Sequence, residues 1–137
     1  MSALKILFTG IGCITTIVVS AQISVAVYFN SGSANNGINL QHTIDSTITF
    51  LHTQQIDHID LYAYCDTDGD STFNMRLSEK RNAFVKKVLQ NSGIQDSIFS
   101  GINAFGENKA TKEIDDEIVK QQNRRGEIII NLAEKNP

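Results

Sequence analysis

The stretch YAYCDTDGDSTFNMRLSEKRN, residues 62–82, carries the strongest structural and chemical signal in the chain. An apolar segment ends in an acidic turn at residues 66–70, and a helix is predicted from about residue 72 to residue 91. On that helix, the spacing i, i+4, i+7 puts three polar side chains on one face: Asn74, Ser78 and Arg81. A carboxylate at the strand end, Asp66, and a guanidinium on the following helix suit a ligand that carries both an ammonium and a carboxylate group.

Outward from this stretch, predicted strands and helices alternate along the chain. The strands are predicted at residues 23–29, 56–65, 98–105 and 125–132, and the helices at residues 39–54, 72–91 and 113–121. Ser71 or Thr72 is expected to cap the second helix, and Ile114 and Ile118 are expected to pack inward from the third. This order predicts a two-layer α/β (α+β) domain of βαβαβαβ order, although the pattern does not specify which strands are neighbours.

The N-terminal segment has the features of a secretory signal peptide. Lys5 precedes a mostly apolar run at residues 6–19, and Val19-Ser20-Ala21 is similar to an A-x-A cleavage site. We therefore predict a signal peptide at residues 1–21 and one domain at residues 22–137. The alternative, a retained membrane anchor, is less well matched because the apolar run is short for a span.

The charge balance restricts the class of partner. The chain has 12 Lys and Arg residues against 15 Asp and Glu residues, for a formal net charge of −3. A nucleic-acid-binding domain presents a basic surface, so nucleic acid is not expected as a partner. No later apolar run is long enough to cross a bilayer, so the mature chain is predicted to have no transmembrane span.

The acidic turn has the alternate spacing of a calcium-binding loop, with Asp66, Asp68 and Asp70. An EF-hand loop also needs Gly at its sixth position and a bidentate Glu at its twelfth. Counted from Asp66, those positions hold Ser71 and Leu77. The sequence therefore predicts no metal and no cofactor, and Asp68 and Asp70 are interpreted as a solvated turn.

The sequence also gives little support for catalysis. Cys65 lies beside the acidic turn, where negative neighbours raise a thiol pKa and suppress the reactive thiolate. The three histidines, at positions 42, 52 and 58, are not placed by the sequence beside a Ser or Cys nucleophile. We therefore expect a binding protein and not an enzyme.

Residues 62–82 resemble the signature of the OmpA C-terminal-like family, which is also found in Pal and MotB. The motif's Asp, turn Gly, Asn, Leu-Ser and Arg are matched, in order, by Asp66, Gly69, Asn74, Leu77-Ser78 and Arg81. Two later segments, GINAFGE at residues 101–107 and NRRGEI at residues 123–128, resemble the family's Gly-x-Gly-Glu element and closing strand. The resemblance extends over residues 23–132. It departs from the family pattern where Ala63, Cys65 and Gly126 replace the usual Gly, Thr, and Val or Ala.

The resemblance implies a fold and a ligand. The fold is a mixed four-stranded sheet with helices packed on one face. The function is non-covalent binding of peptidoglycan in the periplasm, in association with the outer membrane. The ligand is the diaminopimelate of the stem peptide, with its ammonium on Asp66 and its carboxylate on Arg81.

Three further site residues are less fully assigned. Asn74 is either a ligand contact or a side chain that holds the loop through its backbone. Arg124 and Arg125 lie on opposite faces of a strand, so one of the two reaches the site. The alternative function is an envelope adaptor that docks on another protein and keeps only a vestigial peptidoglycan site.

Overall fold

The protein is described by a computed structural model that covers residues 2–9, 16–111 and 116–134. The strands are β1 (Ser2–Thr9), β2 (Thr16–Tyr28), β3 (Ile56–Ala63), β4 (Phe99–Ala104) and β5 (Arg125–Leu132). The helices are α1 (Leu40–Leu51), α2 (Ser71–Asn91) and α3 (Glu117–Asn123), with a short 3-10 turn at Asp96–Ile98 before β4.

The strands form one mixed sheet in the order β1-β2-β5-β3-β4. The strand β5 runs antiparallel to both of its neighbours, β2 and β3, whereas β3 and β4 are parallel. The four predicted strands thus form the mixed sheet of the predicted α/β domain, and the fold prediction is confirmed. In addition, β1 pairs antiparallel with the first part of β2 at the sheet edge.

The sequence did not predict β1, nor the start of β2 at Thr16. Both lie within residues 1–21, whose assignment as a signal peptide concerns processing and stays a prediction. No helix in the described part of the chain combines the length and apolar character needed to cross a membrane.

The core lies between one face of the sheet and the two long helices. Alternate residues of β5 and β3 point to this face, and they include Ile128, Ile130, Ile59 and Leu61. They pack against Ile44 and Leu51 of α1 and against Val85 and Leu89 of α2. Burying each such side chain contributes roughly 1.5–3 kcal/mol, so these contacts fix α2, and the residues on it, against the end of β3.

The start of α2 differs from its prediction by one residue. Its N-cap is Asp70, whose carboxylate accepts hydrogen bonds from the backbone N–H groups of Thr72 and Phe73 at 2.8 and 3.1 Å. Asp70 is therefore not merely a solvated turn residue, because it satisfies two otherwise unpaired helix donors. Asp68 is also paired, with Lys120 Nζ at 3.0 Å from its carboxylate.

The prediction for α3 was wrong at Ile118, which is 71% exposed. Ile114, the other residue expected to pack inward, lies outside the described residues. The inward side of this two-turn helix is polar instead: Asn123 is buried, and its amide oxygen accepts a hydrogen bond from Thr111 N at 3.0 Å. The spacing of apolar residues gave a wrong prediction for this helix because its orientation is set by polar contacts such as that of Asn123.

Candidate functional site

A cavity of about 180 Å³ lies at the end of β3. Its walls come from the loop after β2, the acidic turn, the first turns of α2 and the residue that follows α3. They include four of the five predicted site residues: Asp66, Asn74, Arg81 and Arg124. We call this cavity the pocket.

A buried ion pair joins the acidic turn to the start of β5. Asp66 is 6% exposed and Arg124 is 5% exposed, and Arg124 Nε donates to Asp66 Oδ2. The second carboxylate oxygen, Oδ1, accepts a hydrogen bond from Asp68 N at 3.0 Å. The carboxylate is therefore held in a fixed position at the pocket wall.

The guanidinium of Arg124 has a second carboxylate partner, Glu117. Arg124 Nη1 donates to Glu117 Oε1 at 2.5 Å. Burial alone would lower the pKa of Arg124, but the hydrogen bonds to Glu117 and Asp66 outweigh that effect and raise it. Glu117 is a part of this network that sequence reasoning missed, and its place seven residues, or about two helical turns, before Arg124 offered only a weak signal.

Arg81 is also buried, with 1% of its surface exposed. Its guanidinium donates to three backbone carbonyl oxygens: Ser33 at 2.9 Å, Tyr64 at 2.8 Å and Asn30 at 3.2 Å. It also lies 4.9 Å from the centroid of the Phe29 ring, and Nη1 is 3.5 Å from Cys65 Sγ. Arg81 thus ties the loop after β2 to α2 and to the end of β3.

These contacts leave the positive charge of Arg81 without a direct carboxylate partner among the described residues. Burial lowers the pKa of Arg81, yet a guanidinium stays protonated in proteins. The sequence pattern did not indicate that Asp66 and Arg81 are both buried. The acidic turn and the loop after β2 cover them, so both residues take part in folding.

Asn74 holds the acidic turn. Its amide nitrogen lies within hydrogen-bond distance of the carbonyl oxygens of Asp66 (3.3 Å) and Asp68 (2.9 Å) and of Glu107 Oε2 (3.1 Å). The structure therefore supports the loop-holding role that the sequence left open. The role of Glu107 was missed, although the Gly-x-Gly-Glu resemblance could have indicated it.

Ser78 connects α2 to the segment that carries Glu107. Its hydroxyl oxygen accepts a hydrogen bond from Gly106 N at 2.9 Å and donates to Met75 O at 2.8 Å. Gly106 has a positive φ of 54°, and an added Cβ would lie 3.1 Å from Met75 N. Glycine permits this conformation and this close approach, and both position Glu107 beside Asn74.

Cys65 lies in the wall of the pocket and is buried. Burial raises the pKa of its thiol to about 11; the positive charge of Arg81 opposes this rise, and the negative charges of Asp66 and Glu107 add to it. The predicted direction is confirmed, although burial is the larger cause. At neutral pH the thiol is protonated and donates a hydrogen bond to Asn74 O at 3.2 Å, which does not suit a nucleophile.

Arg125, the fifth predicted residue, is not part of the pocket wall. Its guanidinium carbon lies 4.0 Å from the centroid of the Tyr64 ring, and Nε donates to Glu127 Oε1 at 2.9 Å. Strand alternation therefore sends Arg124 toward Asp66 and Arg125 to the other face of the sheet. Within the described part of the chain, no group of three or more His, Cys, Asp or Glu side chains could hold a metal ion.

Three solved structures are similar to this one. The peptidoglycan-associated lipoprotein from Burkholderia pseudomallei has 27% sequence identity and a TM-score of 0.65, over 77% of this chain and 88% of that one. The periplasmic domain of Helicobacter pylori MotB has 18% identity and a TM-score of 0.63, over 85% and 79%. The OmpA-like domain of FopA1 from Francisella tularensis subsp. tularensis has 19% identity and a TM-score of 0.65, over 98% and 84%.

The chain matches a family model, but it matches no individual curated protein. Among curated proteins, no sequence matches the chain significantly. The model of the OmpA family matches residues 28–125, which include β3, α2, β4 and every wall of the pocket. On that match, together with the fold, the chain belongs to the OmpA family.

Proposed function

We propose that the protein binds peptidoglycan non-covalently in the periplasm, through the diaminopimelate of the stem peptide. The observation that carries the proposal is the buried guanidinium of Arg81, which lacks a carboxylate partner among the described residues and lines a cavity of about 180 Å³ that it shares with Asp66. A buried charge is costly unless it is paired, so an anionic group of a ligand is favoured there. The similarity to a peptidoglycan-associated lipoprotein supports peptidoglycan as the polymer that is bound.

The donors and acceptors of the pocket match the two ends of a zwitterion. A guanidinium has five N–H groups, and four of those of Arg81 are used by Ser33 O, Tyr64 O, Asn30 O and Cys65 Sγ. One N–H on Nη2 therefore remains for a ligand carboxylate. Each oxygen of Asp66 accepts one hydrogen bond from the protein and keeps a lone pair for a ligand ammonium.

A wall-binding domain of this kind is expected to bind each site weakly. A hydrogen bond to a charged group contributes roughly 1.5–3 kcal/mol, so a few such contacts give micromolar to millimolar affinity. The wall repeats the same stem peptide many times, so rebinding retains the protein without a tight individual site. The proposed binding is non-covalent and makes or breaks no covalent bond. We further propose that the predicted signal peptide directs the chain to the periplasm, in association with the outer membrane.

The test is co-sedimentation with purified sacculi, for the protein and for the variant Asp66→Asn. This change keeps the shape of the side chain, and Arg124 keeps Glu117, so the protein should still fold, with lower stability. Circular dichroism of the variant checks this before binding is compared. Removal of the carboxylate leaves the ligand ammonium unpaired, and binding falls about tenfold or more. Asp57→Asn, at the other end of β3, is the matched control, whereas Asp70 is unsuitable because it caps α2.

The ligand assignment is tested by the chemistry of the wall. Walls with lysine in place of diaminopimelate lack the side-chain carboxylate that Arg81 would bind, so the protein sediments less with them. Equal sedimentation with both walls, and no loss in Asp66→Asn, would reject the site. That result would favour the adaptor hypothesis, in which the protein docks on another envelope protein.

A further inference from the structure

A second, larger cavity of about 480 Å³ adjoins the pocket. The two cavities share Gly32, Phe73 and Leu77 on their walls, so a ligand longer than the pocket can extend into the second cavity. Arg76 and Lys80 line its far side. We call it the cationic groove.

The walls of the groove are held in place by the fold. Phe73, Arg76, Leu77 and Lys80 follow the spacing i, i+3, i+4, i+7, so they form one face of the first turns of α2. The opposite wall is the loop at residues 33–35, which Arg81 fixes through its hydrogen bond to Ser33 O at 2.9 Å. The groove therefore exists before a ligand arrives.

The charge of the groove is not neutralised by the described chain. Arg76 and Lys80 are exposed, and neither takes part in an ion pair with a described carboxylate. Two unpaired cations on one helix face stand out in a chain with a formal net charge of −3. Phe73, which is 54% exposed, supplies an apolar surface between them and the pocket.

We propose that the cationic groove binds the free α-carboxylate of the acidic residue that precedes diaminopimelate in the stem peptide. This inference rests on the proposed function, because it continues the same ligand beyond the pocket. That acidic residue is a glutamate joined through its γ-carboxyl group, so its α-carboxylate remains free and lies several bonds away from the diaminopimelate. The groove consequently makes the protein sensitive to amidation of that carboxylate, which removes its charge.

The effect expected from each cation is modest. Exposed ion pairs contribute about 0.2–1 kcal/mol, which corresponds to roughly a 1.4-fold to fivefold change in affinity for each cation. Because the groove is open to solvent, salt screens this contribution, and the preference for the free acid should shrink in high salt.

The experiment is an NMR titration of the purified protein with three ligands: diaminopimelate alone, the tripeptide Ala-γ-Glu-diaminopimelate, and the same tripeptide with its glutamate α-carboxylate amidated. The protein should bind the free-acid tripeptide about threefold to tenfold more tightly than the amidated one. Arg76→Gln combined with Lys80→Gln should abolish that difference while leaving the affinity for diaminopimelate alone unchanged.

Lys87→Gln is the matched control. Lys87 is exposed, lies seven residues beyond Lys80 on the same face of α2, and is roughly 10 Å further along the helix. This variant loses the same charge and should keep the preference for the free acid. If Lys87→Gln also lost the preference for the free-acid tripeptide, the preference would come from the net charge of the protein and not from the groove. That result would overturn the inference.

The remaining outcomes separate the two proposals. Equal affinity of the protein for both tripeptides, with diaminopimelate bound, would overturn the groove and leave the proposed function intact. If the variant that combines Arg76→Gln and Lys80→Gln kept the preference for the free-acid tripeptide, that result would also overturn the groove and leave the proposed function intact. Failure to bind any of the three ligands would overturn the proposed function and the groove with it.

Discussion

Each end of β3 carries a carboxylate beside a basic side chain, but the surroundings of the two pairs are opposite. At its start, Asp57 and His58 form a pair at 2.6 Å in which both side chains reach solvent. Beyond its end, Asp66 and Arg124 form a pair that the protein encloses. Water solvates the first pair, whereas loops, backbone groups and neighbouring side chains must solvate the second.

The difference shows why the pocket cannot be separated from the fold. Around Arg81, the carbonyl groups of Asn30, Ser33 and Tyr64 are all engaged with one guanidinium. Removal of a buried charged partner leaves such groups unsatisfied, whereas removal of an exposed one leaves them to water. Substitutions at the buried end should therefore change stability and binding together, and substitutions at the exposed end should change neither.

The largest effect is expected for Arg81→Ala. Loss of the guanidinium leaves the carbonyl groups of Ser33 and Tyr64 without a described donor, whereas Asn30 O keeps its hydrogen bond from Ser33 N at 3.1 Å. It also frees the loop after β2 from α2, so the free energy of unfolding should fall by about 3–5 kcal/mol. Urea unfolding followed by circular dichroism measures this change. Arg76→Ala on the exposed face of the same helix is the control, with an expected change within about 0.5 kcal/mol. Similar values for the two variants would contradict the structural role of Arg81.

An intermediate effect is expected from the thiol of Cys65 at high pH. Burial raises the pKa of Cys65 from 9.0 to about 11, so between these values the unfolded chain loses the proton while the folded protein retains it. The contribution to stability is complete below about pH 9 and falls as the pH rises, by roughly 2–3 kcal/mol at pH 11.

Comparison with Cys65→Ala isolates this contribution from other groups that titrate in the same range. Urea unfolding of both proteins at steps from pH 8 to pH 11 should show a steeper decline in the protein that carries the thiol. Parallel curves would mean that the thiol is accessible to water in the folded state, and that the pocket is less enclosed than described.

The smallest effect is expected for Asp57→Asn. The carboxylate is exposed and its pair with His58 reaches solvent, so the free energy of unfolding should change by less than about 1 kcal/mol. Thermal unfolding at neutral pH measures it. A larger loss would remove the contrast between the two ends of β3, since it would give the exposed pair a structural role as well.

The sequence predicted correctly which residues share one face of α2, but it did not predict which groups that face contacts. Asn74, Ser78 and Arg81 were correctly placed together on α2 by their spacing. Their burial was not predicted, because periodicity does not reveal that a polar face will meet backbone carbonyls. The arginine pair shows the same limit: alternation separated Arg124 from Arg125, but only the position of β5 in the sheet decides which one contacts Asp66.

Features that depend on several segments were the least predictable. Glu107 and Glu117 reach Asn74 and Arg124 from the segments that follow β4 and begin α3. Glu107 lies 33 residues from Asn74, beyond any local pattern. Glu117 lies seven residues from Arg124, but such a spacing alone does not show that two side chains meet. The exposure of Ile118 has a similar origin, since α3 is positioned by contacts outside its own sequence.

The position of β5 in the centre of the sheet has a consequence for how the chain folds. In the order β1-β2-β5-β3-β4, the described strand that comes latest in the sequence separates the two strand pairs that precede it. Until it arrives, β2 and β3 each present an unpaired edge, and contacts such as that of Val25 with Ile128 must close a long loop. Folding should accordingly be slow for a domain of this size. Arg124 immediately precedes β5, so it reaches Asp66 only when β5 inserts between β2 and β3. A ligand that requires the pocket should therefore bind only molecules in which β5 is in place.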